Sequence, residues 1–145
     1  MEPELRQLCY SLKKENQNYK LIFAGDGNEL NNLRLLVEKE NISGVTIKGF
    51  VQGEEKKMLF KKATVFVFLS EFEGMPNAVL EAMAFGLPVV TTNVGGIASV
   101  FKDERNGMLI NDYNKNNIVR YIESILTNSA LYQAIGKQNY LESKN

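Results

Sequence analysis

Short, nearly uninterrupted apolar runs alternate along this sequence with longer segments of helical periodicity. The runs span 19–24, 45–51, 65–69, 88–92 and 107–110, and the helical patterns span 2–16, 28–41, 54–62, 77–85, 95–101, 114–127 and 130–141. Apolar strands separated by helices indicate a parallel sheet covered on both faces. The sequence therefore predicts an α/β fold, a Rossmann-like three-layer α/β/α arrangement around a mostly parallel sheet of about five strands, in a single domain over residues 1–145.

Composition excludes several classes of function. The 17 basic and 17 acidic residues cancel, so the net charge gives no support for nucleic-acid binding, and we expect no nucleic-acid partner. The sequence has no histidine, which removes Ser-His-Asp and Cys-His nucleophile systems and the commonest zinc ligand. A single cysteine, Cys9, fits a reducing compartment, and no apolar run approaches the ~20 residues of a membrane span. We therefore expect a cytoplasmic protein.

The helix predicted over 77–85 has an unusual composition. From Ala78 to Phe85 every residue except Glu81 is apolar. A helix that is apolar all round is normally buried, and a buried carboxylate is costly unless it is hydrogen-bonded. Two interpretations follow: Glu81 points out through a gap in the core, or it binds the hydroxyl groups of a ligand. The alternative to ligand binding is structural: Glu81 is a buried acid whose hydrogen bonds come from the backbone or from water.

The loop before this helix has the features of an anion site. Gly74 lets the backbone approach a ligand closely, and Pro76 or Asn77 opens the helix. Free N–H groups at a helix start suit a phosphate, and Glu81, one turn further on, would then meet a ribose. Glu73, in the loop before the helix, would lie on the open side of this predicted site, where it could meet the other end of a nucleotide ligand. Taken alone, it is better explained as an exposed loop acid. At the next strand end, Gly95-Gly96 fits either a plain turn or a second backbone anion nest.

Other motifs are weaker. The segment Gly25-Asp26-Gly27 begins like a dinucleotide fingerprint but lacks its third glycine, which makes an oxidoreductase domain an unfavoured alternative. The lysines of the helix over 54–62, whose apolar face we assign to Met58, Leu59 and Ala63, are better explained as a solvated surface. No Asp-x-Asp pair is present to suggest a metal-bound diphosphate.

Residues 70–90, SEFEGMPNAVLEAMAFGLPVV, closely resemble the E-x7-E signature of family 4 retaining glycosyltransferases of the GT-B fold, with Glu73 and Glu81 as its two acids. Further blocks at 21–27, 48–51, 93–97 and 106–110 match the family in the same order. The resemblance covers residues 19–127 and implies the C-terminal, nucleotide-sugar-binding half of such an enzyme. By this resemblance the chain belongs to an enzyme that moves a sugar from a nucleoside diphosphate to an acceptor hydroxyl with retained configuration, in surface polysaccharide biosynthesis.

The resemblance also implies roles for individual residues. Glu81 would hold the donor ribose and Glu73 would contact the donor sugar as the catalytic residue. No metal and no cofactor are implied, and a UDP-sugar is the favoured donor substrate. The implied donor-binding residues are Gly74, Met75, Pro76, Asn77, Glu81, Gly49, Phe50, Val51, Gly95 and Gly96.

The sequence departs from the family in two respects. The acceptor-binding N-terminal half and the basic loop that neutralises the diphosphate are not in this sequence, so we expect weak nucleotide binding and no sugar transfer by this chain alone. Where the family commonly has Gly-Gly-x-Pro-Glu, this chain has Gly-Gly-Ile-Ala-Ser at 95–99.

The expected partners are the donor, the missing acceptor-binding domain and a second copy, through an incomplete sheet or an exposed interdomain face. The full-length enzyme would be cytoplasmic or peripheral at the inner face of the membrane. The alternative function is a non-catalytic Rossmann-like remnant that serves in folding or interaction.

Overall fold

The structure is a computed structural model that describes residues 18–26, 29–70, 74, 77–112 and 114–145. The chain divides into two compact units, Met1–Lys56 and Lys57–Asn145. The helix predicted over 2–16, with Cys9, lies outside the described residues. All other predicted strands and helices are present within three residues of their expected ends, and every strand pair is parallel, which confirms the α/β class.

The first unit contains a two-stranded parallel sheet. Its strands are β1 (Leu21–Ala24) and β2 (Val45–Gly49), joined by helix α1 (Glu29–Lys39). Alternate strand residues are half-buried and exposed, so in this unit the sheet has one solvated face rather than the two covered faces that the sequence predicts. Helix α1 packs against β2 and buries Leu33 and Leu36.

The second unit contains a three-stranded parallel sheet in the order β3-β4-β5. Strand β4 is central and buried at all four positions, because it has a partner strand on each side and helices α3 and α5 pack against it. The five predicted strands are therefore distributed over two sheets. The elements of this unit are β3 (Phe66–Phe68), α3 (Asn77–Ala84), β4 (Val89–Thr92), α4 (Ile97–Val100), β5 (Gly107–Ile110), α5 (Lys115–Thr127) and α6 (Ser129–Glu142).

Helix α2 (Gly53–Lys62) begins in the first unit and ends in the second. Its buried residue is Phe60, and Ala63 packs against the same core, whereas Met58 is 44% exposed, so the predicted apolar face is wrong at Met58. The ring of Phe60 meets Phe66 edge-on at 5.5 Å between centroids and stacks on Phe85 at 5.4 Å. These ring contacts, added to the apolar area that they bury, fix which side of the helix faces the core.

A buried polar network connects α6 to the turns around β4 and β5. Asn139, which is fully buried, donates from Nδ2 to the carbonyl oxygens of Leu87 and Asn106, both at 2.8 Å. Asn106 is also fully buried, and its Nδ2 donates to Asn139 Oδ1 at 2.8 Å and to Glu142 Oε2 at 2.7 Å. Because these buried polar groups have partners, the network fixes α6 against the sheet without the cost of unpaired donors.

Candidate functional site

The second unit brings two of the predicted site segments to one edge of its sheet. Strands β3 and β4 run parallel, so their carboxyl ends meet at the same edge. The segment that follows β3 contains Ser70 and Gly74 and leads into α3, and the segment that follows β4 contains Gly95 and Gly96. In open α/β sheets this edge is where ligands bind.

The last residue of β4, Thr92, ties the end of one segment to the sheet. Its hydroxyl donates to the carbonyl oxygen of Ser70 at 2.7 Å and accepts the Ser70 N–H at 3.1 Å. The side chain of Thr92 is only 2% exposed, so the two hydrogen bonds are shielded from water. Sequence reasoning missed this residue, because a threonine in a strand is already explained by its β propensity.

The Gly95-Gly96 pair forms a tight turn. Ile97 N–H donates to Val94 O at 3.3 Å, with Gly95 at φ 56° and Gly96 at φ −80°, ψ 3°. Positive φ at the first central residue followed by this second conformation is the pattern of a type II′ turn, which favours glycine first. Gly96 N–H donates to Gly74 O at 2.6 Å. This amide therefore holds the neighbouring segment, which favours the turn interpretation over the anion nest.

Helix α3 carries Glu81 on its less buried side. Val79, Ala82 and Met83 form the buried face, whereas Asn77 and Ala84 are exposed. Glu81 is half-buried, since it shares a side with Asn77, Ala78, Ala84 and Phe85, which lie three or four positions away. The expectation that an apolar helix is buried all round is thus wrong here, because only one face of α3 packs on the core. Glu81 lies one turn after the start of α3, the position that the sequence predicts.

The remaining described candidates lie in the first unit, at the end of β2. Gly49 adopts φ 76°, and its carbonyl oxygen accepts the Gly25 N–H at 2.7 Å. The positive φ is a conformation that suits glycine, and it turns the chain out of the strand. Phe50, the next residue, is 65% exposed, and Val51 is half-buried. An aromatic ring is thus presented to solvent directly after a parallel strand.

Three predicted site residues, Glu73, Met75 and Pro76, lie outside the described residues. Their roles stay predictions. Within the described ranges, no group of three or more Asp, Glu or Cys side chains is arranged to hold a metal ion. No described helix is long and apolar enough to cross a membrane.

Comparisons with known proteins identify the family. The family described as Glycosyl transferases group 1 matches residues 4–142, and the chain belongs to it. An uncharacterized glycosyltransferase of Methanocaldococcus jannaschii is 30% identical over 137 residues, which cover 94% of this chain and 38% of that protein. The putative colanic acid biosynthesis glycosyltransferase WcaL of Escherichia coli is 32% identical over 111 residues, 72% of this chain and 27% of WcaL.

Solved structures agree on the fold. Two crystal structures of TarM align with TM-scores of 0.84 and 0.82 at 23% and 21% sequence identity. The alignments cover 96% and 97% of this chain and 28% of the TarM chain. The fold is therefore that of the Rossmann-like C-terminal domain of GT-B glycosyltransferases. The chain spans between 29% and 40% of the length of the first four curated relatives.

Proposed function

We propose that this chain is the donor-binding domain of a retaining glycosyltransferase that transfers a sugar from a nucleoside-diphosphate sugar to an acceptor hydroxyl in surface polysaccharide biosynthesis. UDP-sugars are the proposed donors, and no cofactor or metal takes part. Glu81 binds the ribose hydroxyls, Glu73 contacts the donor sugar, and the backbone around Gly74 and Asn77 faces the diphosphate. The full enzyme works in the cytoplasm or at the inner face of the membrane.

The position of Glu81 carries this proposal. It is the one carboxylate of an otherwise apolar helix, it is half-buried, and it lies one turn after the start of α3 at the carboxyl edge of a parallel sheet. A helix start favours an anion, and a carboxylate one turn further on can accept hydrogen bonds from the two hydroxyls of a ribose. One helical turn separates Asn77 from Glu81, which supports placing the diphosphate at the helix start and the ribose at Glu81.

Two relatives support the choice of donor and pathway class. One TarM crystal structure from S. aureus contains UDP together with Fondaparinux and alpha-GlcNAc-glycerol. WcaL is named for colanic acid biosynthesis. For this chain, the exposed ring of Phe50 at the end of β2 is in keeping with stacking against a nucleotide base.

Glu81→Gln tests the proposal by titration calorimetry with UDP and GDP. The amide keeps the shape of the side chain but removes the charge and one acceptor, so we expect UDP to bind about tenfold or more weakly than to wild type. The matched control is Glu123→Gln in α5, which removes the same charge from another half-buried glutamate. Equal affinities for wild type and Glu81→Gln would remove Glu81 from the ribose role.

The alternative function makes a different prediction for wild type. A non-catalytic remnant would bind neither UDP, GDP nor ADP, whereas a donor-binding domain binds at least one of them weakly. Because weak binding is expected, the titration extends to millimolar nucleotide, the range in which weak sites saturate. Failure to bind any of the three nucleotides at that concentration would favour the remnant.

A further inference from the structure

We infer that Thr92 is a positioning residue of the donor site: its buried hydroxyl fixes the backbone of Ser70, where the chain leaves β3 on its way to the residues proposed to bind the donor. The inference rests on the proposed function. Thr92 itself is 2% exposed and is too buried to meet a ligand. It acts through the backbone of Ser70 and does not touch the nucleotide.

The hydroxyl of Thr92 makes two hydrogen bonds to the backbone of Ser70. One side chain serves as donor and acceptor to the same residue, with Ser70 O at 2.7 Å and Ser70 N at 3.1 Å. Backbone groups just beyond the end of a strand have lost their ladder partners, and water or a side chain must replace them. Thr92 therefore extends the contact between β3 and β4 by one step, beyond the last paired residues Phe68 and Thr91.

A second contact holds the same segment four residues later. Gly96 N–H donates to Gly74 O at 2.6 Å. Both anchoring groups belong to β4 or the turn that follows it, so Ser70 and Gly74 are each held by the same neighbouring part of the chain. Two fixed points restrict the backbone before the nucleotide arrives, which lowers the entropy that binding must overcome.

Thr91 provides a matched control. It is the preceding residue of β4 and is fully buried, but its hydroxyl donates within the strand to Thr92 O at 3.2 Å. Thr91→Val and Thr92→Val both exchange a buried hydroxyl for a methyl group, whereas only the second removes a contact with Ser70. Thr92→Ser keeps the hydroxyl and loses only the methyl group.

The experiment measures UDP affinity by calorimetry and amide hydrogen exchange by NMR for wild type and the three variants. We expect Thr92→Val to bind UDP about tenfold more weakly, while Thr91→Val and Thr92→Ser bind close to wild type. Without nucleotide, the Ser70 and Gly96 amides should be protected in wild type, Thr91→Val and Thr92→Ser. In Thr92→Val both should exchange faster. A general loss of stability would not single out these two amides or be rescued by serine.

The outcomes separate this inference from the proposed function. If wild type binds UDP and Thr92→Val binds it as tightly as Thr91→Val does, the inference is wrong and the proposed function stands. If wild type binds no nucleoside diphosphate, the proposed function is wrong, and the exchange of the Ser70 and Gly96 amides decides whether Thr92 holds the segment. If Thr92→Val does not fold, a Ser70 amide that exchanges rapidly in wild type or in Thr92→Ser still overturns the inference.

Discussion

Glu142, at the end of α6, holds three hydrogen-bonding partners on one carboxylate. Asn106 Nδ2 donates to Oε2 at 2.7 Å, and Gln138 Nε2 donates to Oε1 at 2.8 Å. The Arg105 guanidinium lies 2.7 Å from Oε1. The Asn106 hydrogen bond is the largest cause of a lowered pKa for Glu142, partly opposed by burial, with Gln138 and Arg105 adding to the lowering.

The lowered pKa predicts how stability depends on pH. A carboxyl group whose folded-state pKa lies below its ordinary value of 4.5 stabilises the fold fully above that value. The stabilisation is lost as pH falls through the folded-state pKa. Glu142→Gln should therefore be less stable than wild type near neutral pH, by less than about 1 kcal/mol because the pair is partly exposed to solvent.

Urea unfolding of wild type and Glu142→Gln between neutral pH and pH 3 checks this prediction. The difference in free energy of unfolding should shrink as pH falls below 4.5, because the unfolded chain then binds the proton more readily than the folded carboxylate does. Glu123→Gln, which changes the same charge in α5, controls for the general effect of net charge. A wild-type advantage that stays constant down to pH 3 would contradict the assignment of the stabilisation to the Glu142 carboxylate.

At the scale of elements, α3 and α6 approach each other through glycine. A Cβ atom on Gly136, in the middle of α6, would lie 2.6 Å from the carbonyl oxygen of Gly86, two residues after the end of α3. Glycine inside a helix costs about 1 kcal/mol relative to alanine. The close approach of the two backbones is therefore the physical reason for a residue that helix propensity alone disfavours.

Gly136→Ala should destabilise the protein, although propensity alone predicts a gain. The methyl group would meet backbone rather than a flexible side chain, so α6 must shift, and we expect a net loss of about 1–3 kcal/mol in the free energy of unfolding. Urea denaturation monitored by circular dichroism measures it. The control is Ala134→Gly at an exposed position of the same helix, which should cost about 1 kcal/mol through propensity alone. A stabilised Gly136→Ala would show that the backbones do not approach this closely.

The elements themselves could be predicted from sequence because their signals are local. Apolar runs and helical periodicity gave every described strand and helix, and they also identified Asn77 and Glu81 at the start of α3. Which residue of a helix faces the core could not always be predicted, because it depends on packing between elements that are distant in sequence. Phe60 rather than Met58 faces the core because it meets Phe66 and Phe85, which no pattern within α2 reveals.

The long-range hydrogen bonds beside the candidate site and within the core could not be predicted for a related reason. Thr92 and Ser70 are 22 positions apart, and Asn106 and Asn139 are 33 positions apart. Threonine in a strand and asparagine near a turn are each explained locally, so their long-range partners leave no sequence signal. A sequence pattern therefore predicts candidate ligand-binding residues more readily than it predicts the residues that would position them.

For the whole molecule, binding and stability are linked. A ligand that binds only the folded chain stabilises it by an amount set by the ratio of its concentration to Kd, about 2.7 kcal/mol at a hundredfold excess. The chain spans less than half of the length of the first four curated relatives, so it carries only part of what a full-length relative brings to a ligand. We therefore expect UDP to raise the melting temperature only at high concentration.

Thermal unfolding in a UDP series up to millimolar concentration measures this linkage. Once the UDP concentration exceeds Kd, the melting temperature of wild type should rise with the logarithm of that concentration. At the highest concentration of the series the rise should be several degrees. Uridine and inorganic phosphate, each at the same concentration, should have smaller effects, because each occupies only part of the proposed site. Glu81→Gln should move the curve to higher UDP concentration. The free energy of unfolding of the nucleotide-free protein should change by no more than about 1 kcal/mol, since Glu81 is only half-buried. A UDP effect that is identical in wild type and in this variant would mean that the nucleotide binds somewhere else on the chain.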